Sequence, residues 1–152
     1  MAINWDQAQP APKALWTLVH ANFHQTRFVG IFNKRNIAGT STPSLHAEGR
    51  ALDIGLLVAR PDEKVLGDQL FQLLIDNADE LGLSEVIWNK KIWSTTNTTP
   101  HTYTGVNPHI DHVHVGFTRD GSQLDNFPHT MLDLSILRTG YEDLAKANAN
   151  VG

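Results

Sequence analysis

The sequence predicts an α+β fold, a small antiparallel sheet flanked by helices. Three stretches point to it. Residues 61–83, "PDEKVLGDQLFQLLIDNADELGL", place Val65, Leu66, Leu70, Leu73, Leu74, Ala78 and Leu81 on one helical face. Residues 84–94, "SEVIWNKKIWS", read as two short strands joined by a turn at Asn89-Lys90. Residues 109–117, "HIDHVHVGF", alternate polar and apolar side chains as a strand does.

In chain order, residues 1–10 form an irregular lead-in. Residues 11–26 follow a proline and carry Leu15, Leu18, Val19, Ala21 and Phe23, which predicts a helix. "RFVGIF" (27–32) is a short strand, and the polar, turn-rich "NKRNIAGTSTPS" (33–44) a loop. "RALDIGLLV" (50–58) is a strand with Ala51, Asp53 and Gly55 on one side and Leu52, Ile54 and Leu56 on the other. Pro61 and Asp62 start the long helix and Gly82 closes it. Residues 95–108 are expected to be a long polar loop. Residues 132–138 and 140–149 are expected to be helical pieces. No repeat or linker divides the chain, so residues 1–152 read as a single domain with its motifs within about 27–118.

Hydrophobic residues make up 41% and charged residues 18%, a globular composition. Net charge is −4 and no Lys/Arg-rich run occurs, which argues against a nucleic-acid partner. The absence of cysteine excludes disulfides, thiolate metal sites and a cysteine nucleophile. No run approaches the roughly 18 apolar residues of a membrane span. "MAINWDQAQPAPKALW" lacks the basic and apolar regions of a signal peptide, so the chain is expected to be made in the cytoplasm.

Four of the eight histidines lie in "SLHAEGRALD" (44–53) and "HIDHVHVG" (109–116). In "HVH", His112 and His114 project from one strand face while Val113 and Val115 turn to the core. Asp53 sits in an otherwise apolar strand, where a carboxylate is costly unless paired or bound to a cation. Gly49 lets the chain fold His46 back toward Asp53. With the two strands side by side, His46, Asp53 and His114 would meet. Zinc takes this mixture of imidazole and carboxylate.

Ser44, His46, Gly49, Ala51 and Asp53 match the SxHxxGxAxD signature, and "DHVH" the closing acid-x-x-His and His-x-His elements, of the D-Ala-D-Ala-type zinc peptidases. The chain thus resembles the group that joins these enzymes with lysostaphin-type peptidases and the hedgehog zinc domain. "HIDHVHV" is most similar to the murein-endopeptidase version. The resemblance implies a hedgehog/D-Ala-D-Ala-peptidase-like fold and one Zn²⁺ held by His46, Asp53 and His114. Of the two candidate proton carriers, it suggests Asp111 as base and His112 as oxyanion stabiliser, with the opposite assignment open. His109 would orient a ligand or hold substrate. Arg35, upstream of the motif, would meet the scissile carbonyl or a substrate carboxylate, and Ser44 would position the loop or the substrate. Trp88 and Trp93 are candidates for walls of a substrate groove. His20 and His24 lack the glutamate of HExxH and read as ordinary helix histidines. His101 and Tyr103 lie on a long loop with no chemistry that singles them out, and no motif surrounds His129.

The function implied is a zinc peptidase cutting amide bonds of peptidoglycan stem peptides or cross-links, with a D-amino acid at the bond. A lysis enzyme or a delivered toxin, with a delivery or immunity protein as partner and the periplasm or wall as its place of action, would suit a leaderless chain. Two other classes stand beside it: a non-catalytic zinc-binding module on the same scaffold, and a zinc hydrolase of a different bond.

Overall fold

The computed structural model describes residues 2–124. The two expected C-terminal helical pieces and His129 lie outside the described residues. The order is α1 (Pro10–Asn22), β1 (Arg27–Gly30), a 3-10 helix (Leu45–Glu48), β2 (Ala51–Gly55), α2 (Pro61–Asp76), α3 (Ala78–Leu81), β3 (Leu83–Trp88), β4 (Lys91–Ser94), β5 (Asn97–Thr102), β6 (His112–Phe117) and a 3-10 turn (Gly121–Gln123). All strand pairs are antiparallel, in one sheet ordered β1-β2-β6-β3-β4-β5. The architecture is α+β. No helix among the described residues is long and apolar enough to cross a membrane.

Proline opens both long helices at a position where its missing N–H costs nothing. In α1, Ala11, Leu15 and Val19 are buried at spacings of four. The helix stops sooner than expected, at Asn22, where the Thr26 hydroxyl donates to the Phe23 carbonyl at 2.6 Å and turns the chain. In α2, Leu66, Leu70 and Leu74 are buried in the same rhythm. The expected helix over 61–83 is broken in two. The Asn77 side chain donates back to the Leu73 carbonyl at 2.9 Å, competing with the backbone ladder, and Gly82 ends α3 at φ 71°.

Side-chain parity divides the sheet into two surfaces. Leu52, Ile54, Val113, Val115 and Val86 join Leu15, Val19, Leu66 and Leu70 in one core, so α1 and α2 cover that face. Trp88 and Trp93 belong to this core as well. Trp88 lies on Gly67 of α2, where a Cβ would collide with its ring, and donates Nε1–H to Asp68 at 2.9 Å. Neither tryptophan walls a groove on the other face: both share parity with Val86, opposite to Glu85 and Ile87.

The β3–β4 turn forms at Asn89 and Lys90, with φ of 49° and 65°, the left-handed pair that a two-residue hairpin needs. Residues 95–108 differ from the expected loop, because Asn97–Thr102 form β5 on the sheet edge. Every β5 residue is exposed, so no apolar alternation marks it, and Pro100 is tolerated only because the strand is at an edge. β2 ends at Gly55 and β6 begins at His112, both shorter than expected. The chains stay in contact beyond them: Leu56 N–H donates to Asp111 C=O at 3.2 Å and Val58 N–H to Ile110 C=O at 2.9 Å.

Candidate metal centre

The sheet face away from the helices carries a cavity of about 390 Å³. Its floor comes from β2, β6 and β3, and its walls from the 35–46 and 103–111 segments. β2 and β6 pair with Asp53 directly opposite His114. The 3-10 helix brings in His46 from above. Gly49 closes that helix at φ 66°, and a Cβ there would collide with the Gln7 carbonyl.

His46, Asp53 and His114 are buried, with ligand atoms all within 4.8 Å of one another. This cluster can bind a metal. The hydrogen atoms make the case. His46 Nδ1 lies 2.7 Å from the Ile31 carbonyl, which only accepts, so Nδ1 carries the proton and a neutral ring has its lone pair on Nε2. Nε2 is 3.1 Å from Asp53 Oδ2 and finds no hydrogen bond among the described residues. Two lone-pair donors thus face each other in a buried place, an arrangement that calls for a cation.

His114 lies between two carboxylates, Nδ1 at 3.0 Å from Asp53 Oδ1 and Nε2 at 3.4 Å from Glu85 Oε1. Burial pushes its pKa down, but hydrogen bonds and charge from Asp53 and Glu85 outweigh that and raise it to about 9. Burial would raise the Asp53 carboxyl, yet the hydrogen bond and charge of His114 hold it well below the usual carboxylate range. The nitrogen and oxygen donor set, its burial and the orphaned Nε2 fit Zn²⁺.

His112 shares the face of His114. Its Nδ1 meets Asp111 Oδ1 at 2.7 Å, and its Nε2 lies 3.7 Å from Asp53 Oδ1. Asp111 itself is exposed at the cavity rim. His109 is buried in the left-handed region at φ 54°, where Asn89 N–H donates to its carbonyl at 2.8 Å. Its Nδ1 donates to the Asn107 carbonyl at 2.8 Å, and its ring centroid is 4.6 Å from that of His112. Burial, with the nearby His114 and His112 charges, lowers its pKa to about 4, so its ring is neutral at neutral pH.

Ser44 and Arg35 also line the cavity. The Ser44 hydroxyl is buried and has no hydrogen-bond partner among the described residues. Arg35 is exposed and makes no ion pair among them. Arg50, by contrast, is structural, bound to Glu48 and to the Phe117 carbonyl. Among the other lining residues, Glu85 escaped the sequence reading of the site and Tyr103 was passed over in it. Glu85 carries the same mark as Asp53, an acid in an apolar strand. Tyr103, edge-on to His109, follows a strand that gives no apolar signal.

No curated protein and no solved structure matches the chain. A family model described as the VldE C-terminal domain matches residues 4–114, a span that runs from the lead-in through the whole cluster and ends on His114. With most of its length inside that match, the chain belongs to the VldE C-terminal domain family.

Proposed function

We propose that the chain is a zinc peptidase that hydrolyses amide bonds of peptidoglycan stem peptides or cross-links, with a D-amino acid at the bond. The observation that carries the metal half is the orphaned His46 Nε2 facing Asp53 across 3.1 Å, within a cavity that His114 completes. The substrate class rests on the "SLHAEGRALD" and "HIDHVHV" resemblance to the D-Ala-D-Ala and murein peptidases, and with it the hedgehog/D-Ala-D-Ala-peptidase-like fold.

His46, Asp53 and His114 would hold the metal. When bound, Zn²⁺ supplies Lewis acidity and lowers the pKa of water to about 7. The remaining work falls to side chains. His112 is placed to take a proton from the attacking water and return it to the leaving amine nitrogen as the C–N bond breaks. Its Nδ1 is tied to Asp111, which leaves Nε2 toward Asp53. That geometry favours His112 as the proton carrier and Asp111 as its anchor, the reverse of the assignment suggested by the acid's position in the motif. Neutral His109 keeps an acceptor nitrogen in the cavity, and the free hydroxyl of Ser44 and the guanidinium of Arg35 are available to a substrate carbonyl or carboxylate.

The test is digestion of purified murein sacculi with the zinc-loaded chain, followed by mass spectrometry of the products. Amide cleavage that a chelator abolishes is expected. Stoichiometric zinc with no released product, on sacculi or on D-Ala-D-Ala peptides, would favour a non-catalytic module. Cleavage of another bond would reassign the hydrolase.

A further inference from the structure

We propose that Glu85 is a positioning residue of the metal centre: it accepts the Nε2 proton of His114 and so reserves Nδ1 for the metal. The inference rests on the metal reading above and concerns how the third ligand is held. A histidine ligand works through one nitrogen while the other donates its proton to a fixed acceptor. For His46 that acceptor is the Ile31 carbonyl. For His114 the two flanking acceptors are Asp53 and Glu85, and only one side faces the cluster. His46 Nε2 approaches Asp53 as well, so the metal side is the Asp53 side, and the outer partner is Glu85.

Register and packing build the contact. Glu85 stands opposite Gly116 in the β3–β6 pair, two residue pairs along from Ile87 and His114 and so on the same face. A Cβ at position 116 would lie 2.8 Å from Glu85 Cγ and 2.6 Å from Leu45 Cδ1. The missing side chain leaves the room through which the Glu85 stem reaches His114. Glu85 is mostly buried and forms no ion pair with Lys or Arg among the described residues, so no surface cation draws it away. Such a carboxylate–imidazole pair fixes the ring and strengthens its basicity toward a metal.

The experiment compares the full chain with its Glu85→Ala and Glu85→Gln variants. Zinc affinity is measured by chelator competition, and the His114 tautomer in the zinc-loaded protein by nitrogen-15 NMR. Glu85→Ala is expected to weaken zinc by about 10–100-fold. Glu85→Gln, whose amide oxygen still accepts from Nε2–H, should recover part of that loss. In the unaltered chain His114 should carry its proton on Nε2. Equal affinity in all three proteins, or a proton on Nδ1 of His114, would overturn the proposal while leaving the metal site standing. A chain that binds no stoichiometric zinc at all would instead overturn the metal reading.

Discussion

Asp53 and His114 face each other across the β2–β6 pair, Oδ1 to Nδ1 at 3.0 Å, although 61 positions separate them in the chain. The contact joins two of the candidate ligands, so it decides whether the site exists. Asp53→Ala and His114→Ala should each lower zinc affinity by at least about 100-fold, more than losing an outer partner costs, and should abolish hydrolysis with it. Metal analysis of the purified variants checks this. Full zinc content in both would mean that the ligands lie elsewhere.

His112 and Asp111 should separate from the ligands in the opposite way, keeping metal and losing rate. With His112 as proton carrier, His112→Ala should cost about 10²–10⁴ in kcat, the usual worth of general acid–base catalysis. Asp111→Ala, which frees the ring without removing it, should cost less. The ratio of the two kcat values is the readout. A larger loss from Asp111→Ala would restore Asp111 as the base.

Metal binding should depend on pH with a definite sign. The His114 pKa is raised to about 9 in the metal-free protein, so below that value a proton occupies the imidazole that a metal needs. Zinc affinity should therefore climb by about tenfold per pH unit from about pH 6 to about 8 and level off above the His114 pKa. Chelator competition at constant ionic strength measures the slope. A flat line would remove His114 as the ligand that gives up its proton.

Gly49 should prove intolerant of even a methyl group. Alanine there would sit at φ 66° and press on the Gln7 carbonyl, displacing the segment whose Gln9 N–H donates to Gly49 C=O at 3.1 Å. A loss of at least about 2 kcal/mol is expected, which is about 4–8 °C in Tm for a chain of this size. Thermal unfolding gives the answer, and an unchanged Tm would show that the N-terminal segment moves aside freely.

The site was more legible than the sheet around it, for a geometric reason. Strand side chains alternate without drift, so Asp53 among apolar neighbours and His112 with His114 declare their face from spacing alone. The same rule marks Glu85 and, with it, the opposite face for Trp88, since the two differ by an odd number of positions. An aromatic ring in a strand says nothing of its face until a polar neighbour sets the parity. β5 carries no such signal, because an edge strand exposed throughout has no core to record in its sequence. The break at Asn77 is equally silent in the apolar spacing, which continues through Ala78 and Leu81 as though the helix were whole.

β6 is the last strand of the described residues, yet it sits between β2 and β3 in the sheet. Any nascent fragment ending before His112 therefore lacks the third candidate ligand and also the strand that joins the two halves of the sheet. Pairings of such long sequence separation form late, after their loop-closure cost has been met. The candidate metal centre can therefore assemble only after β6 has left the ribosome and the sheet has closed around it.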